Sequence, residues 1–252
     1  MDEVEQFEAV LRELGELGDL ASSVVLIGGQ VLALESRRRG GSGVIAVETE
    51  TGEEVTRGFT FEPDLLFDLD GTEFMAGRLP EVLKERGYER ARQFRWSKNL
   101  RGSWVQLDLF APEEVEPDDL PTAMTPLPDA RLVLRRARPI ALNIQGTPLR
   151  ISIPDAVGFL AMKTRAKLQL RPEGNKDSFD IFAYVKLVGA DAVLDALNQA
   201  TPEGGEIRRN LLALFYDRSS PGVQDVLSYA DTLEPEQREL LAQSVVDLFA
   251  AF

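Results

Sequence analysis

The sequence contains neither cysteine nor histidine among its 252 residues. Without cysteine it can form no disulfide and no thiolate nucleophile. Without both residue types, Cys/His zinc sites and histidine-dependent catalytic triads are also excluded. Any chemistry must therefore come from carboxylates, amines, guanidinium groups, hydroxyls, or a hard metal ion held by oxygen ligands.

Long apolar runs are missing as well. No stretch approaches the about 18 consecutive apolar residues that a membrane span requires. The N-terminal segment MDEVEQFEAVLREL is acidic and amphipathic, whereas a signal peptide begins with a basic region. The sequence therefore predicts a cytoplasmic protein without membrane contact.

The charges are unevenly distributed along the chain. Acidic residues outnumber basic ones by 42 to 28, which gives a net charge of −14. Basic residues nevertheless concentrate in two segments, 78–101 and 131–176, which hold eight and ten of them. This segregation favours a positive concave face that attracts polyanions such as nucleotides or RNA. Solvated helix faces produce the same pattern, so the charges alone leave both alternatives open.

Hydrophobic periodicity predicts an α+β fold in two parts. Residues 1–150 combine helical segments with short β-rich runs and two hairpins, and residues 151–252 have an all-helical pattern. We predict strands over Phe61 to Asp70, over 131–135 and over 139–144. These strands would build a mixed sheet flanked by helices.

Acidic residues occur on two of the predicted strands. Residues i and i+2 of a strand point to the same face, so Glu62 and Asp64 would share one face. In the run WVQLDLF, Asp108 lies between hydrophobic residues, where an unpaired charge is costly and a cation is a reasonable partner. If the strands are neighbours, the three carboxylates form a cluster suited to Mg²⁺ or a pair of metal ions, with phosphates completing the shell. A hydrogen-bonded structural role is the alternative for Asp108.

Gly28 and Gly29 stand between the predicted strand VVLI and a predicted helix. Glycine allows the backbone to approach a phosphate closely, and a helix N-terminus attracts anions. The pair therefore indicates a phosphate site, although a plain tight turn has the same sequence.

In this order, the segments VVLIGGQVLAL, RGFTFEPDLLFD and WVQLDLF resemble the pattern of the nucleotidyltransferase superfamily. That pattern is a Gly-Gly or Gly-Ser turn, two carboxylates at i and i+2 on a strand, and a third carboxylate on a later strand. Further along, AMKTRAKLQLRPEGNKDSFDIF resembles the C-terminal motif of the abortive-infection AbiEii-type nucleotidyltransferase toxins, in which a helical Lys and a break precede a Lys-Asp-x-x-Asp helix. The resemblance spans roughly residues 24–186.

The resemblance implies NTP binding and transfer of a nucleoside monophosphate to an acceptor hydroxyl, such as that of an RNA or tRNA 3′ end. It implies that Glu62, Asp64 and Asp108 hold Mg²⁺ or Mn²⁺, and that Asp108 helps to deprotonate the acceptor. A toxin role would also imply a cognate antitoxin protein.

The same resemblance implies nucleotide-binding roles outside the carboxylates. Gly28 and Gly29 would adjoin the nucleotide, and Lys163 and Lys176 would contact phosphates. Asp177 and Asp180, three residues apart on one helical face, would orient the lysines or the nucleotide. An ion-paired surface helix is the alternative for this helical set.

Three features depart from the superfamily pattern. Glu62 replaces the usual Asp, Pro63 interrupts the strand, and a hairpin is inserted before them. Pro63 removes a ladder donor, which predicts an edge strand or a bulge. These departures motivate an alternative function, a degenerate and non-catalytic nucleotidyltransferase fold that binds a partner or neutralises a toxin.

The run LLFDLDGTE matches the first motif of haloacid-dehalogenase-type phosphatases. In such an enzyme Asp68 would be the nucleophile and Asp70 the acid/base. That family usually opens with this motif, whereas 67 residues precede Asp68 here. No later segment matches the rest of the phosphatase site, so this function is the second alternative.

Overall fold

The computed structural model describes residues 3–16, 24–69, 78–100, 102–144 and 146–252. The strands within these ranges are β1 (Val24–Ile27), β2 (Ile45–Glu48), β3 (Glu54–Gly58), β4 (Asp64–Phe67), β5 (Glu89–Arg90), β6 (Arg95–Leu100), β7 (Ser103–Pro112), β8 (Thr125–Leu127), β9 (Ala137–Ile144) and β10 (Thr147–Pro154). The helices are α1 (Glu3–Glu16), α2 (Gln30–Arg38), α3 (Leu79–Glu85), α4 (Ala130–Arg135), α5 (Ala156–Arg165), α6 (Lys176–Val188), α7 (Ala190–Gln199), α8 (Glu203–Phe215), α9 (Pro221–Leu227) and α10 (Pro235–Phe249).

One mixed sheet forms the centre of the fold. Its strand order is β5-β6-β7-β4-β1-β10-β9, and β8 pairs with the end of β7. β4 runs antiparallel to β1 and parallel to β7, and β1 runs parallel to β10. β2 and β3 form a separate hairpin, as the sequence predicted. The predicted mixed sheet with flanking helices and a helical C-terminal part is thereby confirmed.

The two faces of the sheet have different environments. On β7, the alternate residues Val105, Leu107 and Leu109 are buried in the core. The opposite face carries Asp108, and this face borders α5 and α6. Because side chains alternate along a strand, the apolar pattern of β7 determines that Asp108 points toward the helices.

The predicted strand over 131–135 is wrong, because these residues belong to α4. Ala130 and Val133 are buried at the i, i+3 spacing of a helix. A run of only five or six residues with mixed apolar and basic side chains fits either period, so periodicity alone could not decide between them.

The predicted strand over Phe61 to Asp70 is shorter than expected. β4 begins at Asp64, so Glu62 precedes the strand and does not share a strand face with Asp64. β4 is also central, between β1 and β7, and not at the edge that Pro63 suggested. The missing N–H of Pro63 costs no ladder bond because Pro63 lies just before the strand, where its carbonyl accepts from the Asp108 N–H at 3.0 Å.

The helical part begins directly after β10. The Asp155 side chain caps α5 by accepting from the Gly158 N–H at 3.0 Å, and a π-helical turn, Ala166–Leu170, follows the helix. α6 contacts both α2 and β2, so the inserted hairpin joins the two parts of the fold. None of the helices in the described ranges has the length and apolar character needed to cross a membrane.

Candidate functional site

A cleft of about 380 Å³ lies where the sheet meets α5 and α6. Its charged residues from the sheet side are acidic except for Arg95, and those from the helical side are all basic. The charged residues of the lining are Glu62, Asp64, Arg95, Asp108, Lys163, Arg165, Arg171 and Lys176. Both basic segments of the sequence therefore reach the cleft, but its surface is of mixed charge and not the purely positive face that the segregation favoured.

Asp64 and Asp108 lie side by side. They are register partners on the neighbouring parallel strands β4 and β7. The condition on which the carboxylate cluster depended, that the two strands are neighbours, is confirmed. Glu62 reaches the same cleft from the segment that precedes β4, with about half of its side chain exposed.

The Gly28-Gly29 turn packs against the side chains of Asp64 and Arg57. Gly28 has φ of +72°, and a Cβ there would lie 2.1 Å from Oδ2 of Asp64. A Cβ at Gly29 would lie 2.6 Å from Nη2 of Arg57. Both backbone conformation and space therefore favour glycine at Gly28, whereas a side chain at Gly29 would displace the end of the Arg57 side chain. The turn brings the start of α2 against the carboxylate side of the cleft.

Asp64 is the unpaired carboxylate of the cleft. It makes no hydrogen bond or ion pair to any residue in the described ranges. Burial raises its pKa to about 6, an effect that the charge of Asp108 increases and the charges of Lys176 and Lys163 reduce. A carboxylate with a pKa near the working pH is suited to accept and release protons.

Asp108, in contrast, is fully engaged by Arg95. Arg95 is opposite Asp108 on β6, and its Nε and Nη2 donate to Oδ1 and Oδ2 of Asp108, both at 2.6 Å. The same guanidinium donates to Oε2 of Glu62 at 3.2 Å and to Oε1 of Gln106 at 2.6 Å. The hydrogen bonds to Asp108 raise the pKa of Arg95, and the charges of Glu62 and Asp64 raise it further.

This arrangement bears on the predicted metal site. Carboxylate oxygens are suitable ligands for Mg²⁺ or Mn²⁺, but both oxygens of Asp108 already accept from Arg95. Across the described ranges no group of three acidic residues is placed to hold a metal ion. Glu62, Asp64 and Asp108 therefore reach one cleft, as expected, but as arranged here they do not fit a divalent ion.

The residues of the C-terminal motif form a buried charge network. Lys163 of α5 donates to Oδ1 of Asp177 at 2.9 Å and to Oδ2 of Asp180 at 2.6 Å. Burial opposes the charged form of Lys163, but the two carboxylates outweigh it and raise the pKa of this lysine. Asp177 and Asp180 thus orient Lys163, and all three lie in the interior and not on a surface helix.

Lys176 and Arg171 present positive charge to the cleft. Lys176, at the start of α6, makes no hydrogen bond or ion pair within the described part of the chain. Desolvation lowers its pKa, with further contributions from the charges of Lys163 and Arg57. Arg171 pairs with Asp177 at 2.9 Å but keeps 61% of its side chain exposed. Both cations can therefore meet an anion that enters the cleft.

Sequence analysis missed two residues of the site, Arg57 and Arg95. Arg57 of the inserted hairpin lies 2.8 Å from Oδ1 of Asp180, an ion pair without hydrogen-bond alignment. Its proximity to the motif in RGFTFEPD was the only signal available. Arg95 could be identified only from the β6–β7 register, which places it opposite Asp108.

The predicted phosphatase nucleophile, Asp68, lies outside the cleft lining. It follows the end of β4. Asp70 lies outside the described residues. The structure therefore adds no support for the phosphatase alternative.

Comparison with known proteins shows a structural likeness at low sequence identity. No protein-family model matches the sequence, and no curated protein matches it. A solved structure, the crystal structure of an antigenic nucleotidyltransferase-like protein from Paracoccidioides brasiliensis, is similar with a TM-score of 0.42 and 18% identity. The similarity covers 94% of this chain and 91% of that one.

Proposed function

We propose that this chain transfers a nucleoside monophosphate from an NTP to an acceptor hydroxyl. The observation that carries the proposal is the position of Asp64. This unpaired carboxylate lies against Gly28 on one side of the cleft, and Lys176 and Arg171 lie among the residues lining the same space. A proton acceptor and phosphate-binding cations are thus assembled in one cleft.

The basic residues supply the binding of the polyphosphate. Lys176 has no partner to give up among the described residues, and Arg171 has exposed donors. Gly28 leaves room for the Asp64 carboxylate beside the start of α2, since a Cβ there would lie 2.1 Å from Oδ2 of Asp64. Lys163 does not bind the polyphosphate directly in this proposal. It forms ion pairs with Asp177 and Asp180 and so fixes the first turns of α6.

Asp64 is the general base of the proposed reaction. It removes the proton of the acceptor hydroxyl, the hydroxyl oxygen forms a bond to the α-phosphorus, and the bond to the β-phosphate oxygen breaks. Pyrophosphate leaves with the electron pair of that bond, and Lys176 and Arg171 stabilise the developing negative charge. The family resemblance implies that Asp108 helps to deprotonate the acceptor; we assign this role to Asp64 instead, because Arg95 occupies both oxygens of Asp108.

We further propose an acceptor and a biological role. An RNA 3′ end, in particular that of a tRNA, supplies a hydroxyl on a polyanion, and the basic residues of the cleft favour such an acceptor. A toxin role restrained by an antitoxin protein is supported by the resemblance of the Lys163 to Asp180 segment to the AbiEii-type motif. Dependence on Mg²⁺ or Mn²⁺ stays a prediction.

The contact of Arg95 with Asp108 favours a second candidate function, nucleotide binding without transfer. Both oxygens of a carboxylate held by a bidentate guanidinium are occupied, so such a carboxylate is a poor metal ligand. A degenerate member of the fold would keep the cations that bind phosphate and lose the reaction.

A labelling experiment separates these functions. Wild-type protein, Asp64→Asn and the matched control Asp68→Asn are incubated with α-labelled NTPs and total tRNA, with and without Mg²⁺. We expect label on RNA with the wild type, a loss of at least about 100-fold with Asp64→Asn, and near wild-type transfer with Asp68→Asn. NTP binding without transfer by any variant would support the second candidate. Phosphatase activity that Asp68→Asn abolishes would overturn both.

A further inference from the structure

The Arg95 guanidinium lies where a cation would be expected among the three carboxylates. Two parallel hydrogen bonds of 2.6 Å join it to Asp108, and a third reaches Glu62 at 3.2 Å. A fourth, to Gln106 at 2.6 Å, fixes the remaining terminal nitrogen. Each nitrogen of the guanidinium therefore has an acceptor, and only 22% of the side chain is exposed.

The surroundings of Asp108 make this contact strong. Asp108 is 7% exposed and its strand is central in the sheet. A bidentate pair between a guanidinium and a carboxylate combines charge with matched geometry. Because Arg95 and Asp108 are cross-strand partners, the backbone holds them together and the guanidinium cannot leave the region by a change of loop conformation.

We propose that Arg95 is a resident cation that competes with a divalent ion for Asp108 and Glu62. The cleft then binds such an ion only when the guanidinium is displaced from these carboxylates. The inference rests on the proposed function, since it concerns the control of the same site. It also explains why carboxylates that reach one cleft do not form a metal site: the positive charge that they require is already supplied by the chain.

The test is direct titration with MnCl₂ in the absence of nucleotide, followed by Mn²⁺ electron paramagnetic resonance and calorimetry. We expect Arg95→Gln to bind Mn²⁺ at least about tenfold more tightly than the wild type, because hydrogen bonds to a charged group contribute enough for such a change. Adding Asp108→Asn to Arg95→Gln removes the gain, which locates the ion. Unchanged or weaker binding by folded Arg95→Gln would overturn the proposal.

The matched control is Arg165→Gln, which also removes one positive charge from the cleft lining. Arg165 pairs with Asp129 at 2.9 Å and does not contact the three carboxylates. An equal gain in this variant would show a general effect of charge and would also overturn the proposal. If Arg95→Gln does not fold, Arg95→Lys takes its place. It retains the charge but cannot form the bidentate pair, and we expect a smaller gain that Asp108→Asn again removes.

The outcome is independent of catalysis. Mn²⁺ binding requires neither NTP nor turnover, so a protein that fails to transfer nucleotides can still show the expected gain. Conversely, transfer that depends on Asp64 while Arg95→Gln leaves Mn²⁺ affinity unchanged would refute the role of Arg95 and leave the proposed function standing.

Discussion

Arg57 and Asp180 meet at 2.8 Å in the interior, although one belongs to the β2–β3 hairpin and the other to α6. Asp180 is fully buried, and the Arg57 side chain is 9% exposed. The hairpin that departs from the superfamily pattern thus contributes a cation to the C-terminal motif. Asp180 consequently forms ion pairs with two cations, Arg57 and Lys163.

We predict that Arg57→Met destabilises the protein by about 3 kcal/mol, because it leaves a carboxylate in the interior with one cation fewer. The free energy of unfolding from urea denaturation measures the effect. The control is Arg135→Met, which removes an exposed ion pair with Glu203 and should cost at most about 1 kcal/mol. Equal costs for the two variants would show that the Arg57 pair does not stabilise the fold.

The Gly28 turn gives a prediction with a closely matched control. Gly28 and Gly52 both have positive φ, of +72° and +80°. A Cβ at Gly28 would meet Asp64 at 2.1 Å, whereas a Cβ at Gly52 has open space. We expect Gly52→Ala to cost about 1–2 kcal/mol for the left-handed backbone alone, and Gly28→Ala to cost at least about 1 kcal/mol more for the displaced carboxylate. Urea denaturation gives both values, and identical costs would contradict the close contact.

Local patterns in the sequence were sufficient for much of the fold. The short β-rich runs predicted a mixed sheet and hairpins, and the helical period predicted the helical C-terminal part. The error at 131–135 arose because Ala130–Arg135 is too short for periodicity to separate helix from strand. Pro63 was interpreted as an edge signal because the sequence does not show that β4 begins one residue later.

The site was less accessible to sequence reasoning. Asp64 and Asp108 are neighbours because β4 pairs with β7. The sequence did not reveal this pairing, so the carboxylate cluster could be predicted only on the condition that the two strands are adjacent. Arg95 and Arg57 reach their carboxylates through a cross-strand register and through hairpin packing, both of which are long-range. Long-range packing determines which cation each carboxylate contacts, and local sequence patterns do not reveal these contacts.

The raised pKa of Asp64 predicts a dependence of stability on pH. Its native value is about 6 against an ordinary 3.8, so between these values the native state holds a proton that the unfolded chain has lost. The contribution of this group to stability therefore increases as the pH falls through 6 and levels off below about 4.

We accordingly expect the stability of Asp64→Asn relative to wild type to be greater at pH 7.5 than at pH 4 by about 1–2 kcal/mol. This is less than the full shift would give, since Asp64 is partly solvated. Urea denaturation of both proteins across this range tests it. The comparison at pH 4, where the side chain at this position is neutral in both native proteins, is the internal control. A stability difference that is constant with pH would contradict burial of the charged form.

The two lysines of the motif should respond differently to substitution. Lys163 is held in the interior by Asp177 and Asp180, so we expect Lys163→Met to lower the free energy of unfolding by about 3 kcal/mol, because two buried carboxylates lose a shared cation. Lys176 is exposed in the cleft and has no ion-pair partner in the described ranges. We therefore expect Lys176→Met to change stability by less than about 0.5 kcal/mol and to weaken NTP binding about tenfold.

Urea denaturation and titration with a fluorescent NTP analogue measure both properties for both lysine variants. The two variants are a matched comparison because each substitution removes one ammonium group from the same cleft lining. A general loss of positive charge would weaken NTP binding equally in the two proteins. Only a division of roles, with Lys163 holding the base of α6 and Lys176 meeting the phosphates, gives a stability loss in one and a binding loss in the other. The division would be contradicted if Lys163→Met left the free energy of unfolding unchanged, or if Lys176→Met lowered it.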